Sequence, residues 1–124
     1  MSRRLTEALF DVSGRSSRQT VFPLTAIYML VEANATGTRQ PVPAQMMISV
    51  PKKRFRHAVD RNRVKRQVRE AYRHEKGLLW SAVPEGMTLV VAFVWLSASH
   101  EDTCRIHSRV VTLIRKISHD INRQ

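Results

Sequence analysis

Between Lys52 and Lys76 the chain reads KKRFRHAVDRNRVKRQVREAYRHEK, eleven lysines and arginines against three acids, Asp60, Glu70 and Glu75. That is a net +8 out of +11 for all 124 residues. Arginine offers a planar fork of donors that fits phosphate oxygens two at a time, and lysine a compact point charge. The chemistry within reach of this stretch is the binding of a polyanion. On a helical wheel of about 100° per residue, Val64, Val68, Ala71 and Tyr72 fall within about 100° of one another. Asn62, Arg66, Arg69 and Arg73 cluster opposite within about 60°, flanked by Lys65 and Arg63. One side can dock on protein while the other holds a rigid row of cations. Lys52, Lys53, Arg54 and Arg56 extend the patch ahead of the helix. A merely solvated face, steadied by pairs such as Arg66–Glu70, is the alternative; three acids are too few to neutralise eleven bases.

Other chemistries find less support. His57 near Asp60 is a candidate general base, and a residue at a helix start is the plainer reading. Asp60, Glu70 and Glu75 do not form the clustered carboxylates that a two-metal nuclease needs. His57, His74, His100, His107 and His119 lack ligand spacing with Cys104 or with acids, and no phosphate loop or zinc pattern is present. Cys104 reads as a small side chain at a helix start rather than a reactive thiol. As a lone cysteine it excludes an internal disulfide and points to a reducing cytoplasm. The opening MSRRLTEALFDVSG carries no apolar run of a secretory leader. Met87 to Leu96 is half the length of a membrane span. At 43% hydrophobic residues the chain can bury a core.

The elements that must position the basic stretch follow from periodicity. Leu5 to Phe10 reads as a short helix ended by Ser13-Gly14. Gln19 to Glu32 reads as one strand, with Pro23 near its start or on an edge. Asn34 to Pro43 is a loop. Gln45 to Val50 is a second strand, joined to the first as a hairpin in the simplest arrangement; Met46, Ile48 and Val50 point one way. The basic helix begins between His57 and Asp60, and Gly77 weakens or ends it. Pro84-Glu85-Gly86 is a turn. Met87 to Leu96 reads as a strand buried on both faces. A last helix from about Glu101 to Ile121 buries Ile106, Val110, Leu113, Ile114, Ile117 and Ile121. The expected fold is α+β, a small α/β sandwich ordered α-β-β-α-β-α with a further short strand possible, with residues 1–124 expected to form a single domain.

SVPKKRFRHAVDRNRVKRQVREAYR, Ser49 to Arg73, resembles the signature of the bacterial ribonuclease P protein subunit. The match is Arg61-Asn62-Arg63, then Lys65-Arg66, then Arg69-Glu70-Ala71-Tyr72-Arg73, dense over about 25 residues. The resemblance implies a ribosomal protein S5 domain 2-like fold with a left-handed βαβ crossover, against the right-handed general rule. It implies a subunit that binds a catalytic RNA and the 5′ leader of precursor tRNA, and assists removal of that leader in the cytoplasm. The RNA carries the catalysis and holds most of the Mg2+, with Asn62 a weak candidate contact to it. No catalytic residue, protein-bound cofactor, membrane or small-molecule substrate is implied. The RNA-binding residues would be Arg61, Asn62, Arg63, Lys65, Arg66, Arg69, Arg73, Lys52, Lys53, Arg54 and Arg56, with a leader cleft near Phe10, Phe22 and Ser49. Pro51 stands where serine is common in the family, and Thr6 and Thr25 where aromatic rings are expected, so fewer bases would stack. The rival reading is a basic ribosomal or nucleic-acid-packaging protein without nuclease role. A membrane-surface binder is disfavoured, because the basic helix has a narrow apolar stripe and no aromatic anchors.

Overall fold

A computed structural model describes residues 16–32 and 43–123. The predicted helix Leu5 to Phe10 and most of the predicted loop Asn34 to Pro43 lie outside them. The described elements are β1 (Ser17–Val21), β2 (Leu24–Glu32), β3 (Ala44–Ser49), α1 (Ala58–Ala82), β4 (Met87–Trp95) and α2 (Thr103–Asn122).

The four strands form one sheet in the order β1-β2-β4-β3. β4 takes the centre because it is apolar at almost every position, and Leu89 to Phe93 are all fully buried. Its neighbours are β2, antiparallel with Leu24 opposite Trp95, and β3, parallel with Ser49 opposite Val94. The parallel pairing of β3 and β4 through α1 is the expected strand–helix–strand unit.

Two sequence expectations are corrected here. The segment Gln19 to Glu32 is not one strand but a tight hairpin, turning at Phe22-Pro23, whose peptide bond is cis. Val21 and Leu24 are both apolar, so the β pattern runs through the reversal unbroken. Proline lacks an N–H for the ladder, and it sits where the ladder reverses. The turn is fastened by hydroxyls: Thr25 Oγ1 donates to the Gln19 carbonyl (3.2 Å) and lies 2.8 Å from Thr20 Oγ1. The second correction concerns β2 and β3, which form no hairpin. β4 lies between them, since only a strand apolar on both faces gains from the middle of the sheet.

Both helices cover the same face. Val64, Val68, Ala71, Tyr72 and Leu79 of α1 join Ile106, Val110, Leu113, Ile114, Ile117 and Ile121 of α2 over Leu24, Ala26, Tyr28, Leu89, Val91, Phe93 and Trp95. A smaller cluster on the opposite face holds Ile27, Met29, Val90 and Ala92, with Met47 and Val94 packed against it. Trp95 is core, as its strand predicts. Trp80 packs near the end of α1, its indole N–H donating to the Tyr72 hydroxyl at 3.0 Å. Cys104 is exposed at the start of α2.

Gly77 does not end α1; the helix continues to Ala82. Glycine costs roughly 1 kcal/mol against alanine in a helix interior. Burial of Leu79 and the Trp80–Tyr72 bond outweigh that cost. The helix gives way instead to a turn at Pro84 to Met87, where Gly86 takes a φ of 82° as the third residue of a type II turn requires. A methyl group on Gly77 would meet nothing within 4 Å. Gly77→Ala should therefore stabilise the protein by about 0.5–1 kcal/mol in urea denaturation.

Tyr28 ties the sheet to α2, its hydroxyl donating to Asp120 Oδ2 at 2.6 Å. Burial, and then this bond, push its pKa up to about 12. The folded protein thus favours the neutral phenol. The stabilisation is complete below the ordinary pKa near 10 and is lost as pH climbs through about 12. Urea titrations across that window should show the wild type losing stability faster than Tyr28→Phe. Parallel curves would mean that the phenol does not titrate with folding.

Candidate nucleic-acid interface

α1 begins at Ala58, with His57 as its N-cap residue. This is the helix-start role expected for His57. The partner of Asp60 is another histidine, His100, whose Nε2 lies 3.0 Å from Asp60 Oδ1. The same imidazole stacks on Phe55, centroids 4.5 Å apart and planes 19° from parallel. Phe55 is itself buried. The connection from β4 to α2 is thereby pinned over the basic turn that precedes α1.

That turn is closed by the Arg54 N–H, which donates to the Pro51 carbonyl at 2.9 Å. Arg61 reaches back to hold it, Nη1 donating to the carbonyls of Phe55 (2.8 Å) and Arg56 (2.9 Å). Lys52, Lys53 and Arg56 are exposed on the turn. Arg54 is half-buried, with its Nε enclosed and unbonded.

Along α1 the wheel holds. Asn62, Arg63, Arg66, Arg69 and Arg73 are exposed and Lys65 half-exposed, opposite the buried stripe. Among the described residues, no carboxylate pairs with Arg63, Lys65, Arg66 or Arg69. Glu70 does not pair with Arg66. It accepts from Arg73 Nη2 at 2.7 Å and lies 3.3 Å from His74 Nε2. Arg73, and secondarily His74, hold the Glu70 carboxyl below the usual range. The ridge and its flanks therefore hold four unpaired positive groups, Arg63, Lys65, Arg66 and Arg69, and a partly neutralised one at the Arg73 end. Glu75 faces His107 of α2 at 3.4 Å. Every acid of the basic stretch is thus engaged by a histidine or an arginine. Among the described residues, no group of three His, Cys, Asp or Glu side chains gathers to hold a metal.

Ser49 ends β3 beside Val94, on the sheet face away from the helices, where alternation also puts Met47. Phe22 is 55% exposed in the β1–β2 turn. The register brings that turn to the end of the sheet where β3 gives way to Lys52 and Lys53. Phe10 and Thr6 lie outside the described residues. Thr25, expected in place of a ring, is buried and spends its hydroxyl on the hairpin.

A profile of the family described as Ribonuclease P matches residues 6–118. The chain belongs to that family. Among similar proteins, a "Ribonuclease P protein component" of Porphyromonas gingivalis is 44% identical over 82 residues, 65% of this chain and 56% of that protein. One from Chlorobium phaeobacteroides is 39% identical over 84 residues, 67% of this chain and 53% of that protein. The matches thus span about half the length of these ribonuclease P relatives. The solved RNase P protein from Thermotoga maritima, in complex with 1-(4-fluorophenyl)-2-thiourea, superposes with a TM-score of 0.64. It covers 94% of this chain and 99% of that one at 19% identity, which establishes the shared fold. No helix among the described residues is long and apolar enough to cross a membrane.

Sequence reasoning missed three features of this ribonuclease P family surface. His100 is far from the basic stretch in sequence, and no motif marks it. Arg61 reads as one more phosphate ligand, yet it spends donors on the protein's own carbonyls. Val59, 79% exposed, stands on the basic side of α1, where apolar residues are assumed to be core. Arg61→Ala should cost about 1–3 kcal/mol by leaving two carbonyls unpaired. Arg66→Ala and Arg69→Ala should each stay within about 0.5 kcal/mol. Guanidinium denaturation of the three variants separates brace from ridge.

Proposed function

We propose that this chain acts as the protein subunit of ribonuclease P. In this reading it is a single RNA-binding domain that assists a catalytic RNA in cleaving the 5′ leader from precursor tRNA. The observation that carries the proposal is the exposed, largely unpaired row Asn62, Arg63, Arg66 and Arg69 on a helix whose other side is locked into the core. Membership of the Ribonuclease P family supports the same reading.

Lys65 and Arg73 flank the row toward the RNA backbone. Lys52, Lys53 and Arg56 supply cations from the turn, and Arg54 and Arg61 mainly shape it. A single-stranded leader would lie across the sheet face of Ser49, past Phe22. Thr25 there stands in place of a ring, and a missing stack removes about 1–3 kcal/mol of base contact. Magnesium belongs to the RNA, since the acids near the row are already engaged. The single exposed thiol suits a reducing cytoplasm.

The chain alone should cleave nothing. Added to ribonuclease P RNA at moderate magnesium, it should accelerate leader removal. No acceleration at any magnesium concentration would sink the proposal. Equal affinity for ribosomal RNA would favour a packaging or ribosomal role instead. Arg66→Ala with Arg69→Ala should leave unfolding cooperative and lower the salt slope of RNA binding by about two.

A further inference from the structure

A second row of cations runs along α2. Arg105, Arg109, Lys116 and Arg123 fall within about 40° of one another on its wheel and span roughly 27 Å of helix axis. Arg105, Lys116 and Arg123 are exposed, and Arg109 is half-buried. From Thr103 to Arg123 there are five lysines and arginines and one acid, Asp120. That carboxylate accepts the Tyr28 hydroxyl. Among the described residues, the row's one ion pair is a loose contact of 3.7 Å between Arg105 and Glu101. Its exposed neighbours Ser108 and His119 carry no negative charge, and half-exposed Thr112 turns its hydroxyl onto the Ser108 carbonyl.

The placement of the row matters as much as its charge. α1 and α2 meet through Gln67 with Thr103 (3.0 Å) and Glu75 with His107 (3.4 Å). On the α2 wheel, Arg109, Lys116 and Arg123 lie about 160–200° from His107. On the α1 wheel, Asn62, Arg66, Arg69 and Arg73 lie about 120–180° from Glu75. The two rows therefore occupy the outer flanks of the helix pair and point away from each other. With helix axes about 8–10 Å apart and side chains adding about 5 Å on either side, the rows stand roughly 20 Å apart. One extended strand on the sheet face cannot reach both. A large folded RNA can, by presenting two separate backbone segments.

We infer that the outer flank of α2 is a second phosphate-binding face, and that the catalytic RNA grips the helix pair from both sides. This rests on the function proposed above. Mounting the second row on a helix whose apolar side is fully buried gives it the rigidity that α1 gives the first.

The test compares the wild type, the α1 pair Arg66→Ala/Arg69→Ala, and the α2 triple Arg105→Ala/Lys116→Ala/Arg123→Ala. Affinity for ribonuclease P RNA is measured across a salt titration, and hydroxyl-radical footprints are taken on that RNA. The triple variant should keep the wild-type thermal midpoint. It should bind about ten-fold or more weakly near 0.1 M salt, with a slope lower by about two to three. It should also lose protection at one backbone segment, while the α1 pair loses a different one. Unchanged affinity and slope for the triple variant would overturn the inference and leave the α1 face standing. So would catalytic-RNA binding that is intact while only precursor tRNA binding to the holoenzyme weakens. If the wild type itself shows no salt-dependent binding, the proposed function fails, and this inference with it.

Discussion

The structure depends on the docking of α1 against the sheet. By electrostatics alone this helix is poor. Arg61 and Lys65, Lys65 and Arg69, and Arg69 and Arg73 are like-charged pairs four residues apart, and Arg63 and Arg66, and Arg66 and Arg69, are three apart. Each costs about 0.2–0.5 kcal/mol, for a total of roughly 1–3 kcal/mol. Burying Val64, Val68, Tyr72 and Leu79 contributes about 1.5–3 kcal/mol apiece. The apolar side wins by several-fold, so the helix can carry its excess charge with little internal pairing beyond Arg73–Glu70. A polyanion then relieves a repulsion that the fold has already absorbed.

The same economy explains the start of the helix. A turn bearing Lys52, Lys53 and Arg56 would be floppy if held only by its own closing bond. Three further contacts fix it: Phe55 in the core, His100 stacked on Phe55 and bonded to Asp60, and Arg61 on two carbonyls. Each removes freedom from the turn before any partner arrives, so less entropy remains to be lost on binding. One cation of the motif is thus spent on bracing the others. The stretch is better understood as a braced scaffold with an exposed row than as a uniform positive patch.

Much of this was legible in the sequence, for identifiable reasons. The last strand and both helices follow directly from period and burial, because their apolar positions are dense and regular. The ridge follows from the wheel, because side chains three and four apart share a face whatever the tertiary context. The hairpin at Phe22-Pro23 was hidden because apolar residues flank it closely. The strand order was hidden because only the assembled sheet shows that β4 belongs between β2 and β3. Gly77 misled because local propensity was set against burial that occurs two residues later. The partners of Glu70 and Asp60 depend on which side chains happen to converge, and His100, forty residues from Asp60, carries no local mark of its role.

The placement of the acids sets what this face can hold. A carboxylate that shares a divalent ion must be free to turn toward it and must not stand in a strongly positive field. Asp60 is held by His100, Glu70 by Arg73 and His74, and Glu75 by His107. All three lie on the helix whose outer side carries the cations. A magnesium ion approaching that side alone is repelled by the potential that attracts phosphate. Approaching with its phosphate ligands, it arrives already neutralised. In the function proposed above, such a face would take up RNA together with the ions that the RNA holds.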